Sequence, residues 1–284
     1  MSAPARNLGF FPWAIVQCTL PHSRLVLPED ATNPYPGALD EYLGYRRFNG
    51  ARQLYLLGHP EVGLPYGKLP RVLLAWLVSK YLRTGERRIC LGRTIAEFMR
   101  QLGMSRQGNN YVALQEQTKR LFSSVVQSLP RAEEPAHWDF ETHSVSRRAE
   151  LWWDPAVEVE SLFESWVELS ESFVELCTRA VPVDLDTCIA LRSPFQIDLY
   201  CWLTYRASTL RRPSAPIPWP ALQEQFGHSY TRPRDFRAKF RKHMGAVLQR
   251  YPMRVEASAA GVVLHPSAPH VPLRPRRKPP EPKP

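Results

Sequence analysis

Apolar and polar positions along the chain form two series of similar pattern, about 125 residues apart. The first runs from Leu74-Ala-Trp76-Leu77 through Thr94-Ile-Ala-Glu-Phe98-Met-Arg-Gln-Leu102-Gly103 to Tyr111–Phe122. The second runs from Leu199-Tyr-Cys-Trp202-Leu203 through Trp219-Pro-Ala-Leu222-Gln-Glu-Gln-Phe226-Gly227 to Phe236–Leu248. Each predicts an apolar helix carrying Trp, a short amphipathic helix ending at Gly, and a longer helix after a turn. Glycine at that place marks a helix-turn-helix, because it takes the left-handed conformation that ends the first helix of the pair.

Strand-like alternation follows both series. Val145, Ala149, Leu151 and Trp153 within Glu141–Trp153, and then Ser165–Ser170, read as hairpin strands after the first. Met253–Ala257 and Gly261–His265, joined by a short Ser-Ala-Ala-Gly turn, read as a hairpin after the second. Between the series, Glu171–Arg179 and Leu185–Leu191 read as short helices interrupted by Pro182, and Pro194 opens the helix of Trp202. The expected fold class is α+β: two winged-helix units in tandem, each a helix-turn-helix plus a β-hairpin. The expected divisions are an N-terminal extension over 1–62, a first unit over 63–180, a second over 181–266 and a tail over 267–284. His265–Pro284 holds eight prolines and five Lys/Arg and little that suits a core, which predicts a disordered basic tail.

Charge sharpens this picture. The net charge of +10 divides into +8 over residues 1–130 (16 Lys/Arg, 8 Asp/Glu), −10 over 131–190 (4 and 14) and +12 over 191–284 (17 and 5). Two basic blocks flank an acidic middle, which reads either as a solvated face or as a contact surface. The five cysteines, Cys18, Cys90, Cys177, Cys188 and Cys201, are scattered and contain no C-x-x-C pair, so they read as reduced structural thiols. Leu8–Val16 behind Arg6 superficially resembles a signal peptide, but Pro12 and Gln17 interrupt it. Lys80 breaks the longest apolar stretch, Val72–Leu82. The expectation is a cytoplasmic protein with no membrane association.

Local catalytic motifs are missing. Gly63-Leu-Pro-Tyr-Gly67-Lys68 has three residues between its glycines where a phosphate-binding loop has four, and Leu69 stands where Ser or Thr is needed. Glu133/Glu134 and Glu158/Glu160 have no neighbouring His or Lys in sequence to tune them. The expectation is a non-enzyme with no cofactor and no metal.

The stretch Thr231–Arg250 carries the most information. At 100° per residue, Phe236, Phe240, Met244, Val247 and Leu248 form one stripe, and Arg234, Ala238, Arg241, Lys242 and Gly245 lie opposite. Small residues there would let the backbone approach a groove floor, and the cations would reach base edges or phosphates, with Arg237 and Lys239 on the flanks. The candidate DNA-binding residues are Arg232, Arg234, Arg237, Ala238, Lys239, Arg241 and Lys242. In the first series, Asn109, Ala113, Glu116 and Arg120 lie opposite the apolar face; this near-neutral surface makes Asn109, Ala113 and Arg120 secondary candidates.

An ordered set of segments resembles the RepA-type plasmid replication initiators. The set comprises Gly63–Arg71, Leu91–Thr94, Phe98–Gly103, Gln117–Phe122, Leu151-Trp-Trp-Asp154, Pro182-Val-Asp184, Asp198–Arg206, Trp219, Gln225-Phe-Gly227 and Tyr251-Pro252. The resemblance covers roughly residues 8–268. It implies a protein that binds repeated double-stranded sites at a plasmid origin and opens the adjacent duplex with a host initiator and helicase. It also implies repression of the protein's own promoter as a homodimer, a first unit serving dimerisation and backbone contact, and a second serving the main groove contact. A repressor without a replication role stays open, as do an interaction scaffold and a primase or nuclease assembled from Asp139, Glu150 and Asp154.

Overall fold

A computed structural model describes residues 7–28, 39–50, 52–104, 110–130, 140–153, 163–227 and 230–271. The first elements are β1 (Leu8–Pro12), α1 (Trp13–Gln17), β2 (Gly44–Phe48) and β3 (Arg52–Leu57). Phe11, Ala14, Ile15 and Val16 are buried, so the short apolar run near the N-terminus is core. Next come α2 (Leu69–Thr84), β4 (Arg88–Gly92), α3 (Ile95–Gln101), α4 (Asn110–Phe122), β5 (Val125–Pro130), β6 (Glu141–Ser144), β7 (Ser146–Glu150) and β8 (Ser165–Leu169). The chain continues through α5 (Glu171–Cys177), β9 (Ala180–Asp184), α6 (Leu185–Ala190) and α7 (Pro194–Thr209). It then forms β10 (Ile217–Pro218), α8 (Trp219–Phe226), α9 (Pro233–Leu248), β11 (Val255–Ala257) and β12 (Gly261–Leu264). The protein is thus a mixed α and β fold with antiparallel sheets.

Local chemistry explains the helix boundaries. Thr94 caps α3 by accepting from Glu97 N–H at 3.1 Å, while the Glu97 carboxylate accepts from Arg93 N–H at 3.0 Å. Ser193 and Gln196 repeat this at α7, with Pro194 in the first turn. Gly85 ends α2 in the left-handed region at φ +74°, its N–H reaching Tyr81 O.

Among the described residues four sheets form, with strand orders β1-β9, β2-β3-β5-β6, β4-β8-β7 and β10-β12-β11. In both three-stranded sheets, the strand that follows the Trp helix pairs with the last strand, which occupies the middle. The two helix series also match in their cores. Trp76 of α2 meets Phe98 of α3 edge-on at 5.4 Å and 77°, and Trp202 of α7 meets Phe226 of α8 at 5.5 Å and 73°. Residues before Gly63 enter the sheets, with β1 pairing β9 and β3 pairing β5. One continuous hydrophobic cluster runs from Phe11 to Leu264.

Two expectations need correction. Gly103 has φ +68°, but Gly227 has φ −113°, outside the left-handed region. Gly227 is needed for closeness instead: a Cβ there would lie 2.5 Å from Cδ2 of Phe236. Of the segment expected to be disordered, residues 265–271 are folded. His270 and Val271 are buried, and His270 Nδ1 lies 2.8 Å from the Tyr200 hydroxyl. Residues 272–284 lie outside the described residues.

A buried polar clamp joins the two helix series. Arg71 of α2 meets Asp198 of α7 through Nε and Nη2, both at 2.7 Å. Its other N–H groups reach the carbonyls of Leu20, Pro21 and Gly67. His22 Nε2 lies 2.8 Å from the Asp198 carboxylate, and the His22 ring stacks on Phe195.

Candidate nucleic-acid interface

Helix α9 presents two chemically distinct faces. Phe236, Phe240, Met244 and Val247 are buried against α7 and α8, with Phe195, Phe226 and Trp219 among the rings that meet Phe236 and Phe240. Arg232, Arg234, Ala238, Lys239, Arg241, Lys242 and Gly245 are exposed, and Arg237 is half-buried. Pro233 fits the first turn, where its missing N–H costs nothing, and Asp235 adds a negative charge at the helix's positive end. No acid occurs in the rest of the helix, so its open face is cationic.

The exposed cations differ in freedom. Trp219, at the start of α8, is a platform beneath one of them and beneath the half-buried Arg237: the Arg241 guanidinium sits 4.9 Å from its ring centroid and that of Arg237 5.9 Å. Arg241 also donates to Ser258 O in the β11–β12 turn at 3.3 Å, and Trp219 Nε1 donates to the same carbonyl at 3.0 Å. Arg241 therefore braces the hairpin against α9, whereas no hydrogen bond or ion pair holds Arg234, Lys239 or Lys242 among the described residues. His243 is held below its ordinary pKa by burial and by Lys239 and Lys242, which favours a neutral ring against Phe195. The bracing role of Trp219 was not legible in the sequence; its only signal was an aromatic residue at a helix start preceding an Arg-rich helix.

In α4 the expected exposed face is different. Asn109 lies outside the described residues, Ala113 is half-buried, and Arg120 is 2% exposed. Arg120 is therefore corrected from a surface cation to a core one. Its Nη1 and Nη2 grip Glu41 at 2.6 and 2.9 Å, Nη1 also reaches Leu64 O, and Nε donates to Glu116 at 2.9 Å. The segments carrying Glu41 and Leu64 cover the face that a helical wheel leaves open. These ion pairs hold the Glu41 carboxyl below its usual pKa and raise that of Arg120. Glu150, the one described member of the acidic trio, pairs with Arg148; Asp139 and Asp154 lie outside the described residues. Lys68, in the loop resembling a phosphate site, donates to Ile189 O.

No described helix is long and apolar enough to cross a membrane. No curated protein matches the chain. Among solved structures it is similar to RctB domains 2 and 3. One selenomethionine crystal structure gives 12% identity and a TM-score of 0.49 over 85% of this chain and 94% of that one. A second gives 13% identity and 0.47 over 87% and 85%. The RepA_C family model, described as plasmid encoded RepA protein, matches residues 64–219. That span takes in both Trp helices, the Arg71–Asp198 clamp and the start of α8, and covers more than half of the sequence; the chain belongs to the family of plasmid-encoded RepA proteins.

Proposed function

We propose that this protein is a plasmid replication initiator that reads repeated double-stranded sites at its origin, without enzymatic activity of its own. The observation that carries the reading is α9: a helix with a cationic open face containing Ala238 and Gly245, packed on α8 and braced to a hairpin by Arg241. Small residues beside Arg234 and Lys242 suit entry into a major groove, where these cations reach base edges and Arg237 and Lys239 serve phosphates. The two helix series are winged-helix units dividing near Ala180, supported by their shared order of helix, strand, two helices and antiparallel strand pair, with β5 and β6 of another sheet inserted in the first. The first unit serves self-association, its α4 face being closed by the Arg120–Glu41 pair. Host initiator and helicase act on the opened duplex, and binding at its own promoter represses the gene.

A reporter plasmid carrying the cognate repeats but lacking its initiator gene tests this. It establishes when the protein is supplied and fails with a variant carrying Arg234→Ala and Lys242→Ala. Tight, specific binding without establishment would leave a repressor and reject the initiator.

A further inference from the structure

A cleft of about 920 Å³ lies between the N-terminal sheet and α8, and no described residue of α9 lines it. One wall is formed by Arg24, Tyr42, Arg47 and Phe48; the other by Gln223 and Glu224 of α8, and by Gly227 and Tyr230 of the turn into α9. Its size is that of a small-molecule site. Among the described residues that line it are three arginines, Arg24, Arg46 and Arg47, and one carboxylate, Glu224. Arg24 is ion-paired with Glu41, which Arg120 shares, whereas Arg46 and Arg47 form no ion pair among the described residues.

Arg47 is the informative residue. It is 4% exposed, its guanidinium lies 4.9 Å from the Tyr45 ring centroid, and no hydrogen-bond acceptor reaches its Nε. Among the described residues no carboxylate forms an ion pair with it. Asp198, whose charge acts on it, is committed to Arg71 and His22. A buried guanidinium without a dedicated anion is costly unless an anion arrives from outside. Further rings line the cleft. Tyr42 is 46% exposed, Phe48 carries Arg46 at 4.9 Å, and Tyr230 closes the far end with its carbonyl held by Gln223 Nε2 at 2.9 Å. Flat rings beside a buried arginine that no carboxylate pairs suit a base that stacks and a phosphate that binds.

We propose that this cleft binds an unstacked nucleotide, its base against Tyr42, Phe48 and Tyr230 and its phosphate on Arg24 and Arg47. The nucleotide has two sources, a free nucleotide or one within a single DNA strand. The site stands apart from the duplex reading by α9, but Gly227 and Tyr230 lie in the turn that sets α9, so occupancy and duplex binding influence one another reciprocally.

The test uses the full chain and three probes: a fluorescent mixed-sequence single-stranded oligonucleotide, AMP and inorganic phosphate. Tyr42→Ala and Arg24→Gln, both at exposed side chains, weaken oligonucleotide or AMP binding by about tenfold. Their binding to origin duplex, measured without these probes, stays within about twofold. Competition by AMP identifies a free nucleotide as ligand, and binding of the oligonucleotide alone identifies a strand. Binding of neither above the phosphate control, or binding that both variants retain, overturns the proposal. Loss of duplex binding alone in the wild-type protein would count against α9 and leave the cleft standing.

Discussion

Removing the Asp198 carboxylate by Asp198→Ala leaves Arg71 as an uncompensated cation at 0% exposure. All five guanidinium N–H groups of Arg71 are matched: two by Asp198 and three by the carbonyls of Leu20, Pro21 and Gly67. The variant strands two of these donors and a full charge where water does not reach. Breaking a buried pair from one side costs about 3–5 kcal/mol. Arg71→Met costs at least as much, because it strands the carbonyls of Leu20 and Gly67, Pro21 O keeping the Gly67 N–H, and leaves Asp198 with His22 alone, and each unmatched buried acceptor adds about 1–3 kcal/mol. The double variant Arg71→Met/Asp198→Leu therefore does not return to wild-type stability, although an isolated ion pair replaced by apolar residues often does. Chemical denaturation followed by tryptophan fluorescence measures all three. A loss below about 1 kcal/mol for either single variant would refute the reasoning, as would full recovery in the double variant.

Two further outcomes follow from the core. Burial, and the charges of Arg71 and Arg47, outweigh the help His22 receives from Asp198 and hold its pKa below the ordinary 6.5. The unfolded chain therefore takes up the proton first, and stability present above pH 6.5 is lost as pH falls toward the folded-state value. His22→Asn flattens that part of a stability profile measured between about pH 7.5 and 5.5, and an unchanged slope contradicts the assignment. Gly227→Ala presses a methyl against the Phe236 ring and costs about 1–3 kcal/mol by overpacking; a neutral effect on the melting transition would show that the α8–α9 turn yields freely.

The parts of the fold legible in the sequence are those with local periodicity. The stripe of Phe236, Phe240, Met244 and Val247 is buried, and the cations opposite it are exposed, because a 3.6-residue repeat assigns both faces without reference to the rest of the chain. The hairpin of β11 and β12 appears where alternation and a Gly turn place it. Strands β1, β2, β3 and β5 were not legible. Leu8–Pro12 becomes a strand only through Ala180–Asp184, and β3 through Val125–Pro130, and partners so distant leave no local signature. Arg120 was misplaced for a related reason, since Glu41 and Leu64 cover its face from outside the helix. The sequence marks Gly227 as a left-handed turn glycine, but its φ is −113°; its need comes from the neighbouring Phe236 ring.

The central claim is that α9 reads sequence, and its most direct test is binding of Arg234→Ala and Lys239→Ala to cognate and scrambled duplexes across a salt series. Lys239→Ala should weaken both duplexes alike and lower the salt slope by about one unit for its lost phosphate contact. Arg234→Ala should cost about 1–3 kcal/mol on the cognate duplex and much less on the scrambled one, as loss of a bidentate guanine contact requires. Equal and modest losses for both variants on both duplexes would contradict the claim, reducing α9 to a source of general electrostatic attraction.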